Sequence, residues 1–295
     1  MNRKIDYKIN ENDTGKTVEG FLKEHGYTHQ VLVRLKQTDH GILRNGIWAY
    51  TNERLCKDDL ITVQIVENEC SDNISPVNLP LDIAYEDDDI IVINKPFDMP
   101  AHPSAGNHDN TLANALMYYY GSQNKPFVYR CINRLDRDTT GLTIVAKHAL
   151  AGGILGNAVA KRAIHRTYYA VCSGCTPAYM RISAPIARKD ASTIERCVDF
   201  KRGENAVTDF IRIKYNPDNN LSLVKLRLLT GRTHQIRVHM KYIGFPLIGD
   251  FLYNPDYTYI SRQALHSGRL VFTHPVTGQK MNLISDIPSD MKSLF

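Results

Sequence analysis

The sequence predicts an α+β protein, with a mixed, mainly antiparallel sheet in its larger part and a small α/β unit in front of it. Three observations carry this reading. Strand and helix patterns alternate over residues 81–295 without the steady β-α-β spacing of a parallel sheet. Two helical patterns and a hairpin signal fall within about the first 65 residues. A polar stretch containing Cys70-Ser71-Asp72-Asn73 and Ser75-Pro76 separates the two parts. The expected boundaries are 1–68, a linker over 69–80, and 81–295.

The elements follow in order. The first 16 residues are polar and form either a short strand or a poorly ordered lead. Thr17 can cap a helix in which Val18, Phe21 and Leu22 share a face. A second helix is expected over 30–36, with Val31, Leu32 and Leu35 apolar. Residues 42–65 read as short strands around an Asn45-Gly46 turn, ending in the β-rich run 60–65. In the second part, 83–86 opens the chain and Ile90-Ile91-Val92-Ile93-Asn94-Lys95 is a buried strand that Pro96 stops. His102-Pro103-Ser104-Ala105-Gly106 is a loop. A helix over 111–120 puts Leu112, Ala115, Leu116 and Tyr119 on one face. A strand over 142–146, a helix over 149–160 and a strand over 167–172 come next. A long strand over 221–229 breaks at Gly231, and 234–242 suits a helix.

Composition narrows the function classes. The 43% hydrophobic content over 295 residues suits one large domain or two unequal ones. No run approaches the roughly 20 apolar residues of a membrane helix. No apolar signal region follows Met1-Asn2-Arg3-Lys4, so a cytoplasmic protein without membrane contact is expected, with a monomer as the default. The six cysteines form no secreted-type framework. Cys172-Ser173-Gly174-Cys175 could be half a zinc site or a redox pair, but no second pair completes a metal set, so both read as reduced thiols.

The net charge of +5 is unevenly placed: residues 1–70 hold 10 Lys+Arg against 11 Asp+Glu, and the other 225 hold 26 against 20. Residues 219–249 contain no acid but carry Lys225, Arg227, Arg232, Arg237 and Lys241 with His234 and His239. Such a window suits a phosphate-bearing partner or a solvated basic face.

Two runs carry the chemistry. In Asn133-Arg134-Leu135-Asp136-Arg137-Asp138-Thr139-Thr140-Gly141 a carboxylate and a guanidinium flank a turn before an apolar strand. Asp136 is the candidate catalytic carboxylate; its plain alternative is a turn or cap residue. Asp136 and Asp138 have calcium-loop spacing, but the rest of such a loop is missing and Arg134 and Arg137 oppose a cation, so no metal is expected. In Thr230-Gly231-Arg232-Thr233-His234-Gln235-Ile236-Arg237-Val238-His239, Arg232 lies on a glycine turn at a helix start, where an anion is favoured. An arginine such as Arg237 beside a buried aspartate would keep it ionised, as a reacting carboxylate needs.

These runs resemble the signatures of the RluA/RluD family of RNA pseudouridine synthases, and the resemblance extends over roughly 83–291. The segment ending Lys95-Pro96 with His102-Pro103, the Asp136 segment, Arg166-Thr167-Tyr168-Tyr169-Ala170, the Arg232–His239 segment, Gly249-Asp250 with Tyr253, Arg262-Gln263-Ala264-Leu265-His266 and His274-Pro275-Val276-Thr277-Gly278 match in order. Asn133 departs from the histidine many members carry, and tuning of loop packing is expected there. The first 60 or so residues loosely resemble an S4-type RNA-binding module, although their net charge weakens the case for firm RNA binding.

The resemblance implies the pseudouridine synthase fold, RNA as the partner and no cofactor, since the reaction is an isomerisation. It implies Asp136 as nucleophile or essential carboxylate, Arg237 as its partner and Tyr168 stacked on the target base. Arg134 would fill the gap left by the flipped uridine, and further RNA contacts are expected at Arg232, His234, Gln235, Lys95 and His102. Two routes stay open: a covalent adduct on Asp136, or stabilisation of a cation with removal of a 2′ proton. Ribosomal RNA of the large subunit is the expected substrate, with transfer RNA as the alternative. A non-catalytic RNA-binding protein on the same fold, a two-carboxylate glycoside hydrolase and a metal nuclease are the competing classes.

Overall fold

The computed structural model describes residues 2–104, 106–190 and 194–295, so Ala105 of the expected 102–106 loop lies outside the described residues. The chain opens as a strand, β1 (Asn2–Lys8), which settles the reading of the polar lead. Helices α1 (Val18–Glu24) and α2 (His29–Gln37) follow. Thr17 Oγ1 accepts from Gly20 N at 3.1 Å, and Thr28 Oγ1 from Val31 N at 3.4 Å, so each helix begins at a side-chain cap. Strands β2 (Ile42–Arg44), β3 (Ile47–Trp48) and β4 (Leu60–Val66) complete a sheet of order β1-β4-β2-β3. Asn45 and Gly46, with φ of 52° and 81°, supply the left-handed pair that a tight hairpin turn requires.

The larger part is built on one ten-stranded sheet. Its first elements are β5 (Ile83–Glu86), β6 (Ile90–Lys95), α3 (Leu112–Gly121), β7 (Arg130–Cys131), β8 (Thr140–Ala146), α4 (Ala149–Ala160) and β9 (His165–Ser173). Next come β10 (Tyr179–Ser183), a hairpin of β11 (Ile186–Arg188) and β12 (Arg196–Val198), then β13 (Val207–Asn216) and β14 (Leu221–Leu228). Helix α5 (Gln235–Tyr242), β15 (Leu265–Thr273), β16 (Lys280–Ile284) and α6 (Ser289–Lys292) close the chain. The sheet runs β10-β13-β14-β9-β15-β8-β6-β5, with β16 on β15 and β7 on β8. Among the described residues every pairing is antiparallel except β15 with β8. The fold is therefore α+β with a mixed, mainly antiparallel sheet, as expected.

That parallel contact depends on Gly141. Its φ is +106°, and a Cβ there would lie 2.4 Å from the Ser267 carbonyl oxygen. Backbone strain and a backbone clash would act together, so Gly141→Ala should lower stability by about 2–4 kcal/mol, read from urea unfolding midpoints. A change under about 0.5 kcal/mol would show that the β8–β15 seam can relax.

The stretch 69–80 has no helix or strand, yet it is not a free tether. Ser71 N donates to Phe127 O at 3.2 Å, Val77 N to Asn114 O at 3.2 Å, and Ile74 and Leu79 pack on the core beneath α3. The N-terminal unit is also docked. Its core, with Val18, Phe21 and Leu22, includes Leu150 of α4. Arg3 forms a two-pronged pair with Asp89 at 2.8 and 3.1 Å, and Asp89 meets buried His148 at 2.9 Å. Asp87, Asp89 and His274 lie close enough to hold an ion, but each already has a side-chain partner, with His274 on Asp87 at 2.8 Å. The cluster clasps the N-terminal unit to the sheet.

Candidate active site

The Asp136 segment crosses between β7 and β8 and is pinned by Asn133. That residue is 3% exposed; its Nδ2 donates to Leu142 O at 3.1 Å and its Oδ1 accepts from Ile144 N at 2.8 Å. Asn133 thus bonds across to β8, a packing role. Leu135 turns inward onto the core that contains Tyr168 and Leu265, while Arg134 is exposed. Asp136, between an inward Leu135 and the turn closed by Thr139 N on Asp136 O at 3.1 Å, keeps a side chain 30% exposed. Asp138 does not join it: Arg137 holds Asp138 at 3.1 and 3.2 Å.

Helix α5 brings the second half. Arg237 is 1% exposed and Asp250 is fully buried. The guanidinium grips Asp250 with Nε and Nη2, both at 2.7 Å, and donates through Nη1 to Asp136 Oδ2 at 3.0 Å. Asp250 also accepts from the backbone of Leu252 and Tyr253 at 3.1 and 3.2 Å. The Phe251 and Tyr253 rings lie 5.4 and 5.0 Å from the guanidinium carbon. Burial works against the charge of Arg237, but its hydrogen bond to Asp250 and the field of Asp136 outweigh this and raise its pKa. The cation is therefore permanently charged and immobile beside Asp136.

Asp136 and Arg237 sit in a cleft of about 1110 Å³ lined by seven arginines and two aspartates. Tyr168, on β9 between β14 and β15, is 4% exposed and contributes to its wall. Arg134, His102, Arg232 and His234 also line it. Arg232 is already engaged, its guanidinium on the Glu204 carboxylate and on Asn205 O.

Two of the residues expected to contact RNA are buried. Lys95 is 1% exposed, and its ammonium donates to Pro96 O at 2.7 Å and Arg137 O at 2.8 Å. Burial pulls its pKa down to about 7, against the pull of Asp138 and Asp136. Gln235 is 2% exposed; Oε1 accepts from Thr230 Oγ1 at 2.8 Å and Arg232 N at 3.0 Å, and Nε2 donates to Val207 O and Thr208 Oγ1, both at 3.0 Å. Lys95 supports the Asp136 turn and Gln235 ties the α5 entry to β13, and the polar atoms of both are engaged within the protein. Arg227, Arg232 and Arg237 of the basic window 219–249 all line the cleft, and Arg237 differs in being 1% exposed and held in ion pairs. Cys172 is buried in β9 and Cys175 is exposed, with Sγ accepting from Arg212 at 2.7 Å. Asp250 was the residue whose role the sequence did not disclose. Its signal was its place beside Gly249 in a matched segment; at Gly249 φ is +67° and a Cβ would lie 2.1 Å from Arg262 O, so no side chain is admitted.

The family model of RNA pseudouridylate synthases matches residues 89–242, the span that carries Asp136, Tyr168 and Arg237. The chain belongs to this family. It is an RNA pseudouridine synthase, and its relatives agree. It is 38% identical over 95% of its length to the Bacillus subtilis RNA pseudouridine synthase YjbO, covering 98% of that protein. It is 41% identical to the ribosomal large subunit pseudouridine synthase D of Haemophilus influenzae, over 78% of this chain and 75% of that one. The solved structure of human RNA pseudouridylate synthase domain containing 1 superposes with a TM-score of 0.59 at 26% identity, covering 70% of this synthase and 83% of that chain. No helix among the described residues of the synthase is long and apolar enough to cross a membrane.

Proposed function

We propose that this synthase isomerises a uridine of large-subunit ribosomal RNA, with Asp136 as the reacting carboxylate. The observation that carries the reading is the Asp136–Arg237 pair, 3.0 Å apart, in a cleft lined by arginine. Relatives named as large-subunit synthases, at 36–41% identity, support the choice of RNA. The target base has to leave the stack to expose its glycosidic bond. Arg134, exposed and without an ion pair among the described residues, fills the place the base vacates. Tyr168 stacks on the flipped ring. The N1–C1′ bond breaks, the uracil turns, C5 bonds to C1′, and the C5 hydrogen leaves as a proton that restores N1–H. Asp136 either takes C1′ as a covalent adduct or removes the 2′ proton; in both it acts as the carboxylate, with Arg237 Nη1 on its Oδ2 at 3.0 Å.

The N-terminal unit supplies part of the address. Its hairpin leaves Ile47, Trp48 and Tyr50 exposed at 74, 48 and 77%, and exposed aromatic rings suit stacking on unpaired bases.

Pseudouridine mapping of total RNA with and without the gene tests the reading. One or more sites in large-subunit RNA should vanish with the gene; loss only from transfer RNA would overturn the substrate. Binding should weaken steeply with salt, by at least about tenfold between 50 and 200 mM if about three or more phosphates are neutralised. An affinity unmoved by salt would remove the arginine-lined cleft from the RNA path.

A further inference from the structure

We infer that His234 is a positioning residue for Asp136, in a neutral tautomer set by Tyr253, rather than a contact to the RNA strand. The inference rests on Asp136 being the reacting carboxylate. His234 caps α5 with φ 56° and ψ 18°, left-handed backbone that is uncommon outside glycine although histidine accepts it more readily than most residues, and it makes no side-chain capping bond. Strain of this kind is kept where the side chain has work to do. The conformation turns the ring to bridge two groups. Nδ1 lies 3.0 Å from Tyr253 Oη, and Nε2 lies 3.9 Å from Asp136 Oδ2.

The tautomer follows from the hydrogen-bond inventory. Tyr253 Oη accepts the N–H of Arg196 at 2.9 Å. Among the described residues the acceptor within reach of its own O–H is His234 Nδ1. Burial holds the imidazole pKa below its ordinary value, with Asp136 and Asp250 pulling up and Arg237 and Arg196 pulling down. A neutral ring that accepts at Nδ1 carries its proton on Nε2, the atom facing Asp136. His234 and Arg237 are three positions apart, so they share a face of α5 and approach the same oxygen. Oδ1 is left without a protein partner among the described residues and is the oxygen available to the ribose. At 3.9 Å the histidine contact is open, and it closes when the flipped nucleotide fills the cleft, as catalytic hydrogen bonds commonly do.

The test uses the full-length enzyme in excess over [5-³H]uridine-labelled total RNA from a strain lacking the gene, with tritium release as the readout. Wild type must release tritium and Asp136→Asn must not; failure of either removes the underlying reading, not this one. The plateau rate reports the reacting complex and the half-saturating enzyme concentration reports RNA binding. His234→Asn accepts left-handed backbone and can still meet Tyr253, but it is too short for Asp136. His234→Gln places an amide donor near the Nε2 position. Asn should lower the plateau rate about 30-fold and Gln less than about fivefold, with half-saturation unchanged in both. Tyr253→Phe keeps its ring against Arg237 and frees the tautomer, so its plateau rate should fall about tenfold at unchanged half-saturation. An Asn variant as fast as wild type would mean His234 serves only the turn. Raised half-saturation at an unchanged plateau would make it an RNA contact. Either result overturns the inference.

Discussion

Asp136→Asn should abolish pseudouridine formation, lowering single-turnover rates by more than about 10³-fold, while RNA binding and folding persist. Asparagine keeps the shape and an acceptor for Arg237 Nη1, so the 3.0 Å contact survives. It loses the negative charge that both open routes require. Stability should change little, because the Asp136 side chain is 30% exposed and Arg237 retains its two bonds to Asp250. Mapping the gene's target sites in a strain carrying only Asp136→Asn checks this, with thermal unfolding and RNA binding measured on the purified variant. Retained modification would move the chemistry to another residue and undo the proposed mechanism.

Asp250→Ala should have the largest effect on stability, about 3–5 kcal/mol, because it leaves a guanidinium 1% exposed without its two-pronged partner. The loss should exceed that of Asp136→Ala, although both aspartates bind the same arginine. The difference lies in solvation: Asp136 is open to the cleft, and Asp250 is sealed and also ties down the backbone of Leu252 and Tyr253. Replacing Arg237 and Asp250 together by apolar residues should recover much of the stability but not the activity. Denaturant unfolding of the single and double variants decides this. An Asp250→Ala cost below about 1 kcal/mol would mean that water or Asp136 replaces the lost carboxylate.

Helix α1 was legible from its cap, Thr17, three residues from the amide it satisfies, and α2 from the apolar Val31, Leu32 and Leu35. The strand β6 was legible as an apolar run ended by Pro96, and the β2–β3 turn as Asn45-Gly46. The C-terminal strands were not read as elements. The β15 run contains Ser267 and Gly268, and it is a strand because β8 and β9 flank it. The burial of Gln235 and Lys95 was not legible, because a polar side chain in a motif looks the same whether it faces solvent or closes a buried set of bonds.

The same division runs through the active site. Asp136, Tyr168 and Arg237 could be named from motifs, since each stands in a run whose residues are only a few positions apart. That Arg237 meets Asp136 across 101 residues, and Asp250 across 13, is a property of the packed sheet and α5. So is the approach of His234 to the oxygen that Arg237 holds. Local signals depend on capping, turn geometry and periodicity over one or two turns of chain. Which charge is buried, and against which partner, depends on strand pairing and desolvation between segments far apart in sequence, and those exist only once the sheet has closed around them.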